Sequence, residues 1–262
     1  MRRNKFRELL KAGKPTIGTR TVSVWPELVE VIGHTGVFDY VEFVAEYGDF
    51  DMHDLENYAR ATELFDMTCV IKPDQQLQGW VSQRAIGAGF QGVTFVDCRS
   101  PEDARECVRI VRPETPEDAG ITGAAPRRFS LMRYGGGPEY VQALRDVVVI
   151  LMIEKKSAVD RLEEILSVPG IDMVQWGPTD YSLSSGFVGD EGNPAVQAAE
   201  RKVFQTALRM GIPPRAEITS ADQAKRFLDM GVRHFSLNMD IFILYQWWKS
   251  NGEMLRKALG CP

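Results

Sequence analysis

The chain has 262 residues, of which 44% are hydrophobic, and it carries a formal net charge of −5 at neutral pH. A single α/β barrel typically takes about 250 residues, and no low-complexity tract or long linker divides this chain, so we expect one domain over residues 1–262. Because the chain has no block of basic residues, neither nucleic acid nor an anionic membrane is an expected partner. Its longest apolar runs are also far too short to span a bilayer.

The cysteines and the amino terminus favour a soluble protein. Cys69, Cys98, Cys107 and Cys261 are scattered, without a CxxC pair or a cluster with histidine. Cys69 and Cys98 fall in predicted strands, where we interpret them as reduced packing residues. The first residues begin a polar helix and do not lead into an apolar signal segment. We therefore predict a cytoplasmic location.

Strand-like runs recur along the whole chain, and each is followed by a helical pattern or by a loop leading to one. They cover residues 16–19, 40–45, 68–72, 92–98, 147–154, 173–177, 214–218 and 235–238. Alternating β and α units favour a parallel sheet, and eight such units favour a closed barrel. The predicted fold is therefore a TIM-type (β/α)8 barrel of the α/β class.

The longest irregular segment, residues 112–138, lies between the fourth and fifth predicted strands and is rich in Pro, Gly and Arg. Loops of this length inside compact domains are usually functional or disordered. We place the segment on the side of the barrel where active sites form, and we predict that it is a lid or a subunit contact.

The predicted final helix, residues 240–259, is unusually rich in apolar side chains and includes the adjacent Trp247 and Trp248. An amphipathic surface helix needs only a narrower apolar stripe. Two interpretations are open: a terminal helix docked on the core, and a subunit interface. We favour the interface, because two adjacent tryptophans cannot both face one core, and so we expect a homo-oligomer.

One motif has the letters of a nucleotide-binding site but the wrong context. Residues 87–92 read Gly-Ala-Gly-Phe-Gln-Gly and match the GxGxxG pattern. A dinucleotide fingerprint follows a strand and opens a helix, whereas these glycines close a helix and precede a strand. We interpret them as a helix-to-strand turn and expect no nucleotide cofactor.

Two carboxylates that end consecutive predicted strands carry the strongest functional signal. Glu154 follows the apolar run 147–153, and Asp180 follows the end of the next strand. The carboxyl ends of parallel strands meet on one face of a barrel, where two such carboxylates can share a hard divalent cation. The alternative is that each carboxylate pairs with a nearby base, for which Lys155 and Lys156 are available.

The residues between that strand and Asp180 favour a ligand-binding turn. A tight turn at Gly177-Pro178 fixes the backbone and lets the amides of Thr179 and Asp180 approach a ligand closely. This feature strengthens the metal interpretation, because it brings backbone donors to the strand end where the two carboxylates meet.

Several segments, in order along nearly the whole chain, carry a family resemblance. They are residues 36–41, 45–48, 87–93, 120–123, 153–154, 170–172, 177–186 and 193–196, and the most specific of them reads Gly-Pro-Thr-Asp-Tyr-Ser-Leu-Ser-Ser-Gly. Together these segments resemble the HpcH/HpaI family of class II aldolases, which belongs to the phosphoenolpyruvate/pyruvate barrel superfamily. The match is specific to the family and does not identify a substrate.

The resemblance implies a carbon–carbon lyase that depends on Mg²⁺ or Mn²⁺. Its substrates would be pyruvate or a related 2-oxo acid and an aldehyde, as in the cleavage of a 2-keto-3-deoxy acid or of 2,4-dihydroxyhept-2-ene-1,7-dioate. Carried over, Glu154 and Asp180 are the metal ligands, and the turn of Gly177, Pro178, Thr179 and Asp180 holds the carboxylate of the 2-oxo acid. The resemblance also implies a hexamer in which the C-terminal helix packs on a neighbouring barrel.

The chain departs from the family at four positions of the site. Tyr47 stands where a histidine usually serves acid–base chemistry, and Ile71 takes the position of the usual strand-three arginine. Met152 replaces a glutamine, and Arg20 replaces a tryptophan near the end of strand one. The residues for metal binding are therefore retained, while several of the residues that the family usually uses for acid–base catalysis are replaced.

Several explanations of these departures stay open. In a rebuilt site, Arg20 or Lys72 supplies the missing positive charge, and Tyr47 or His53 supplies the base. A tyrosine is a poor base at its usual pKa of about 10 unless a cation lowers that pKa, and His53 is equally well explained as a surface residue. A second explanation is altered chemistry on the same scaffold, as another lyase, a hydrolase or a synthase. A third is a non-catalytic protein that binds oxo acids.

Arg20 has a purely structural alternative. An ion pair with Glu42 or Glu46 would let this arginine shape the wall of the pocket without any contact with substrate. We nevertheless predict a substrate contact, because a guanidinium gives bidentate recognition of a carboxylate.

Overall fold

The computed structural model describes residues 2–125, 128 and 135–260. Its strands form a closed parallel barrel in which each strand pairs with its neighbours in chain order and the last strand pairs with the first. The strands are β1 (Thr16–Thr21), β2 (Tyr40–Phe43), β3 (Thr68–Ile71), β4 (Gly92–Phe95), β5 (Val148–Ile153), β6 (Met173–Trp176), β7 (Pro214–Ile218) and β8 (His234–Met239). The predicted eight-stranded α/β barrel is confirmed.

Helices surround the barrel and connect successive strands. They are α1 (Lys5–Lys11), α2 (Pro26–His34), α3 (Met52–Glu63), α4 (Gln78–Ala88), α5 (Pro101–Val111), α6 (Pro138–Arg145), α7 (Lys156–Asp160), α8 (Leu162–Leu166), α9 (Pro178–Ser185), α10 (Pro194–Arg209), α11 (Ala224–Asp229) and α12 (Asp240–Ala258). A short 3-10 turn, Ala221–Gln223, leads into α11.

Local sequence explains where several helices begin and end. The Ser100 side chain accepts a hydrogen bond from the Asp103 amide at the start of α5, where Pro101 occupies the first turn. At the end of α4, Gly89 has a positive φ of 127°, which a residue with a side chain rarely adopts. The segment 87–92 is thus the predicted helix-to-strand turn, since β4 begins at Gly92.

Side chains alternate between the barrel interior and the layer beneath the helices. Val148 and Ile150 of β5 belong to a small interior cluster, whereas Val149 and Leu151 join the larger core between the sheet and the helices. This alternation follows from the two-residue period of a strand. One step past β5 the same alternation turns Glu154 inward, to the carboxyl end of the barrel.

The amino end of the barrel is filled by aromatic side chains. Phe6 of α1 stacks on Tyr40 with ring centroids 4.4 Å apart, and both residues are fully buried. A Cβ atom on Gly18 would lie 2.1 Å from the Tyr40 ring, so only glycine leaves room for the ring at this point. The interior therefore opens at the carboxyl end of the strands.

The irregular segment after α5 lies on a different face from the one that we predicted. Arg112 donates hydrogen bonds to the carbonyls of Leu144 and Val147, directly before β5. Arg128 donates to the carbonyl of Ala88, at the end of α4. These anchors are at the amino ends of the strands, because α5 runs back along the barrel before the segment begins. Residues 126, 127 and 129–134 lie outside the described residues, and the predicted lid or subunit contact stays a prediction.

Helix α12 leaves the barrel directly after β8 and does not dock on it. Within α12 only Asp240 is buried, and its carboxylate accepts hydrogen bonds from the amides of Val22 and Ser23, at 3.0 Å each. Trp247 and Trp248 are 62% and 63% exposed, which excludes the interpretation of a terminal helix docked on its own core. No helix in the described part of the chain combines the length and the apolar character needed to cross a membrane.

Candidate active site at the carboxyl end of the barrel

A cleft of about 300 Å³ opens at the carboxyl ends of the strands. Its lining combines acidic, basic and apolar side chains from most of the barrel. The residues are Arg20, Tyr47, Lys72, Met152, Glu154, Gly177, Pro178, Thr179, Asp180, Glu191, Glu217, Met239 and Phe242. All of the predicted site residues except His53 thus lie around one cleft.

Glu154 is the most deeply placed carboxylate of the cleft, with a relative exposure of only 3%. Burial raises the pKa of Glu154 to about 7, although the hydrogen bond from the Asp97 amide opposes the shift. That bond, 2.7 Å long, uses Oε1, and no described residue donates to Oε2. Asp97 has a positive φ of 58°, a rare conformation for a residue with a side chain, and it aims this amide at Glu154.

Helix α9 begins at the edge of the cleft and presents its first turn to it. Gly177 is the N-cap and Pro178 occupies the first helical position, as the sequence predicted for a tight turn. A Cβ atom on Gly177 would lie 2.7 Å from Oε2 of Glu154, so glycine is needed here for close approach and not for its φ. The amides of Thr179 and Asp180 donate no hydrogen bond to any described residue.

Asp180, in the first turn of α9, is paired with a lysine. Its Oδ1 atom lies 2.7 Å from Nζ of Lys155, which also lies 2.6 Å from Oδ1 of Asp97. The alternative that Lys155 is a base partner is therefore correct for Asp180, while Glu154 is held by a backbone amide. No described residue donates a hydrogen bond to Oδ2 of Asp180.

These two carboxylates fit a hard divalent cation. Each one keeps an oxygen atom without a described hydrogen-bond donor, and the desolvation that raises the pKa of Glu154 would be offset by a nearby positive charge. In the described part of the chain, no group of three or more His, Cys, Asp or Glu side chains is arranged to hold a metal. A cation at Glu154 and Asp180 would therefore take its remaining ligands from water and substrate.

Lys72 faces the cleft from the end of β3, whereas Ile71 points into the outer core. The Lys72 ammonium lies 2.7 Å from Oε2 of Glu46 and 5.1 Å from the centre of the Tyr47 ring. Burial alone would lower the pKa of Lys72, but the Glu46 carboxylate outweighs it and raises the pKa. Lys72 is thus a cation in the position that the sequence predicted.

Tyr47 lines the cleft and is 62% exposed. Partial burial raises the pKa of its phenol, and the positive charge of Lys72 does not reverse the shift. Because a base has to lose its proton first, these surroundings do not favour the predicted role of Tyr47 as a base. His53, the other candidate base, is exposed on the first turn of α3 and does not line the cleft.

Arg20 reaches the cleft from β1 and forms an ion pair with a residue of β7, the strand on the other side of β8. Its Nη1 atom lies 2.6 Å from Oε2 of Glu217, so the acidic partner is neither Glu42 nor Glu46. The Gln175 side chain donates a hydrogen bond to the other carboxylate oxygen of Glu217. Glu217 was not among the predicted site residues, although its inward-facing position on β7 is a signal that could have identified it.

A fully buried ion pair lies beneath the cleft. Arg215 and Glu42 have no exposed side-chain surface, and their closest N–O distance is 2.7 Å. Thr94 donates a 2.6 Å hydrogen bond to Glu42, and Arg215 donates to the carbonyl oxygen of the Gln175 side chain. Burial alone would raise the pKa of Glu42, but the charge of Arg215 and the hydrogen bond from Thr94 outweigh burial and lower the pKa, so this carboxylate is ionised. Polar contacts therefore run without interruption from the barrel interior to Glu217 in the cleft.

The fold and the site together define an eight-stranded parallel α/β barrel with one carboxylate just past β5 and another just past β6, both facing one cleft. The chain belongs to the HpcH/HpaI aldolase/citrate lyase family, whose sequence profile matches residues 34–245. The resemblance that the sequence motifs carried is thereby confirmed.

Named relatives agree with this membership. The chain is 28% identical to 4-hydroxy-2-oxo-heptane-1,7-dioate aldolase of Escherichia coli over 242 residues. This alignment covers 92% of the chain and 90% of the relative. A crystal structure of an HpcH/HpaI aldolase from Desulfitobacterium hafniense superimposes with a TM-score of 0.87 at 22% identity, over 97% of both chains. An HpcH/HpaI aldolase/citrate lyase family protein from Burkholderia cenocepacia gives a TM-score of 0.84 at 25% identity, over 97% of this chain and all of the other.

Proposed function

We propose that this chain is a metal-dependent aldolase, a carbon–carbon lyase that joins or cleaves a 2-oxo acid and an aldehyde. The observation that carries the proposal is the shared cleft of Glu154 and Asp180, beside the amides that open α9 and donate to no described residue. The family membership and the named E. coli aldolase support the same class of reaction.

The residues of α9 and β5 suit the recognition of a 2-oxo acid. Glu154 and Asp180 would hold Mg²⁺ or Mn²⁺, because carboxylate oxygens are the ligands that these ions prefer. The bound cation would draw electron density from the carbonyl group of the substrate and so favour loss of a proton from the neighbouring carbon. The amides of Thr179 and Asp180, placed by Gly177 and Pro178, would receive the substrate carboxylate.

Cationic side chains complete the proposed site. We assign to Lys72 the positive charge that the family usually obtains from an arginine, since its ammonium faces the cleft and Glu46 holds it in place. Tyr47, with its raised pKa, would act as a neutral hydrogen-bond donor. A substrate contact for Arg20 stays a prediction, because its guanidinium is paired with Glu217.

The metal assignment can be tested by calorimetry with Mn²⁺ and by thermal unfolding with Mn²⁺ plus pyruvate or oxalate. A ligand at one hundred times its Kd stabilises the folded state by about 2.7 kcal/mol, so wild-type protein should show a clear rise in Tm. The Glu154→Ala/Asp180→Ala double variant should show none, whereas the surface variant Glu163→Ala should respond like wild type. Unchanged Mn²⁺ binding in the double variant would show that the assignment is wrong.

The proposed chemistry can be tested without knowing the aldehyde. Pyruvate in D₂O should exchange its methyl protons when protein and Mg²⁺ or Mn²⁺ are present, and chelation should stop the exchange. Exchange requires removal of a proton from the methyl carbon, which simple binding does not produce. If several 2-oxo acids bind but none exchanges, altered chemistry or a binding function is the better explanation.

We also propose that α12 assembles the chain into a homo-oligomer, a hexamer by the family resemblance. The support is the exposed apolar surface of this helix, which includes Phe242, Trp247 and Trp248. Light scattering at micromolar concentration should show an oligomer for wild type and a smaller species for a Trp247→Glu/Trp248→Glu variant. A stable wild-type monomer would remove this proposal.

We place the enzyme in the cytoplasm, with small molecules as its only partners besides other copies of itself. Cys69, Cys98 and Cys107 are free and buried, and burial raises the pKa of each thiol, which keeps it unreactive. Cys261 lies outside the described residues. Acid-trapped cell extracts should contain these three thiols in reduced form.

A further inference from the structure

A second cavity adjoins the cleft and points to the part of the site that receives the aldehyde. Its volume is about 240 Å³, and it shares Arg20, Pro178, Glu191 and Glu217 with the cleft. The far side includes Trp176 of β6, Glu200 and Phe204 of α10, and Arg226 and Phe227 of α11. The shared residues form the boundary between the two spaces, so a substrate that extends from the cleft meets them first.

The cations around these spaces are already engaged. Arg20 is paired with Glu217 at 2.6 Å, and Lys72 is paired with Glu46 at 2.7 Å. Arg226 stacks over the Phe227 ring at 4.2 Å and lies 3.4 Å from the carboxylate of Glu200. A second carboxylate on a substrate would have to displace one of these acidic partners before it could meet a guanidinium or an ammonium.

The boundary between the two spaces is acidic. Glu217 forms an ion pair with Arg20 and accepts a hydrogen bond from Gln175, and Glu191 accepts a 2.5 Å hydrogen bond from the Thr179 hydroxyl. No ion pair is formed by Glu191 within the described residues. Ionised carboxylates are acceptors only, so groups that approach them have to donate hydrogen bonds, as hydroxyl groups do.

We propose that Glu217, with Glu191, makes this site specific for an uncharged, hydroxyl-bearing aldehyde and against an aldehyde that carries a carboxylate. The inference rests on the proposed aldolase function and adds to it the chemical class of the second substrate. In the direction of synthesis, the methyl carbon of the 2-oxo acid loses a proton and forms a bond to the aldehyde carbon. The aldehyde oxygen gains a proton, so the reaction needs no oxidant or reductant.

The effect of charge can be measured with two aldehydes that differ in a single group, succinic semialdehyde and its methyl ester. With pyruvate and Mg²⁺, wild-type protein should have a kcat/KM at least about tenfold higher for the ester, because carboxylates a few ångströms apart repel each other in a partly buried site. D-glyceraldehyde should likewise be preferred over propanal. Equal or better use of succinic semialdehyde by wild-type protein would overturn the inference.

The role of Glu217 can be tested with Glu217→Gln, which removes one negative charge, frees Arg20 and keeps an amide for Gln175 to contact. The preference for the ester should fall at least about tenfold in this variant. It should not change in Glu163→Gln, which removes a carboxylate paired with Arg209 on the outside of the barrel. Because each value is a ratio within one protein, partial unfolding of a variant does not affect it. An unchanged ratio in Glu217→Gln would overturn the assignment to Glu217.

A binding measurement separates this inference from the proposed function. With Mg²⁺ present, 2-oxopentanoate should bind wild-type protein at least about tenfold more tightly than 2-oxoglutarate, which has the same chain length and a second carboxylate. If pyruvate exchanges its protons but 2-oxoglutarate binds as tightly as 2-oxopentanoate, only the present inference is wrong. If neither oxo acid binds and pyruvate does not exchange, the proposed function is wrong, and this inference falls with it.

Discussion

The buried ion pair of Arg215 and Glu42 allows a quantitative prediction about stability. Replacing Arg215 by methionine keeps most of the side-chain volume and removes the guanidinium that lies 2.7 Å from the carboxylate. Glu42 would then be fully buried with the Thr94 hydroxyl as its main remaining partner. Removing one member of a buried pair typically costs about 3–5 kcal/mol, because an uncompensated charge stays behind.

The pH sets an upper limit to this cost. In the variant, Glu42 can lose its unpaired charge by binding a proton. For a carboxyl group with an ordinary pKa of about 4.3, protonation costs about 3.7 kcal/mol at pH 7 and about 1 kcal/mol at pH 5. In the wild-type protein the pKa of Glu42 is lowered, so its stabilising contribution is intact at both pH values and is lost only below its ordinary pKa. The penalty of Arg215→Met should therefore be smaller by about 2.7 kcal/mol at pH 5 than at pH 7.

Urea unfolding at both pH values and at one fixed protein concentration would measure the penalty. The Glu42→Gln/Arg215→Met double variant should recover most of the loss, because it removes both charges. Arg209→Met is the matched control: it breaks a pair of similar length, 2.6 Å, between side chains that are 61% and 66% exposed, and it should leave stability unchanged. A pH-independent penalty for Arg215→Met, or one below about 1 kcal/mol at pH 7, would refute the reasoning.

Three further predictions follow from single residues. Asp97 has a positive φ of 58°, so Asp97→Gly should be more stable than Asp97→Ala by about 1 kcal/mol in urea unfolding, and equal stability would show that the backbone is not strained there. Burial lowers the pKa of His234 from 6.5 to about 4, so the unfolded chain takes up a proton at a higher pH than the folded protein does. The contribution of neutral His234 to the free energy of unfolding should therefore be complete above pH 6.5 and fall by about 3 kcal/mol as the pH drops to 4. His234→Gln should lack this acid-sensitive component, and identical pH profiles would contradict the prediction. Gly177→Ala would bring a Cβ atom within 2.7 Å of Oε2 of Glu154, so Mn²⁺ affinity measured by calorimetry should fall, and unchanged affinity would count against this geometry.

The fold could be predicted from the sequence because each strand and helix is marked by residues within its own segment. The apolar runs around Val148 and Met173 mark strands by their own composition, and Gly89 marks a helix end by its own flexibility. The inward direction of Glu154 follows from counting along one strand. The two carboxylates of the proposed metal site could thus be found without knowing which strands are neighbours.

The rest of the site depends on pairings that local patterns do not contain. Arg20 meets Glu217 only because closure of the barrel pairs β8 with both β1 and β7, which brings the ends of β1 and β7 to the same side of one cleft. His53 was a candidate base because of its residue type, but it lies on the solvent-facing side of α3 and is exposed. The irregular segment after α5 was placed on the wrong face, since the path of that helix decides where the segment starts.

The aromatic plug formed by Phe6 and Tyr40 has a kinetic consequence. Because these side chains fill the amino end of the barrel, both substrates have to enter from the carboxyl end, where Glu154, with a relative exposure of 3%, is more deeply buried than Glu217, whose side chain is 22% exposed. The 2-oxo acid should then enter first, and in the cleavage direction it should leave last. Steady-state kinetics should accordingly show an ordered sequence, with dead-end inhibition by excess aldehyde.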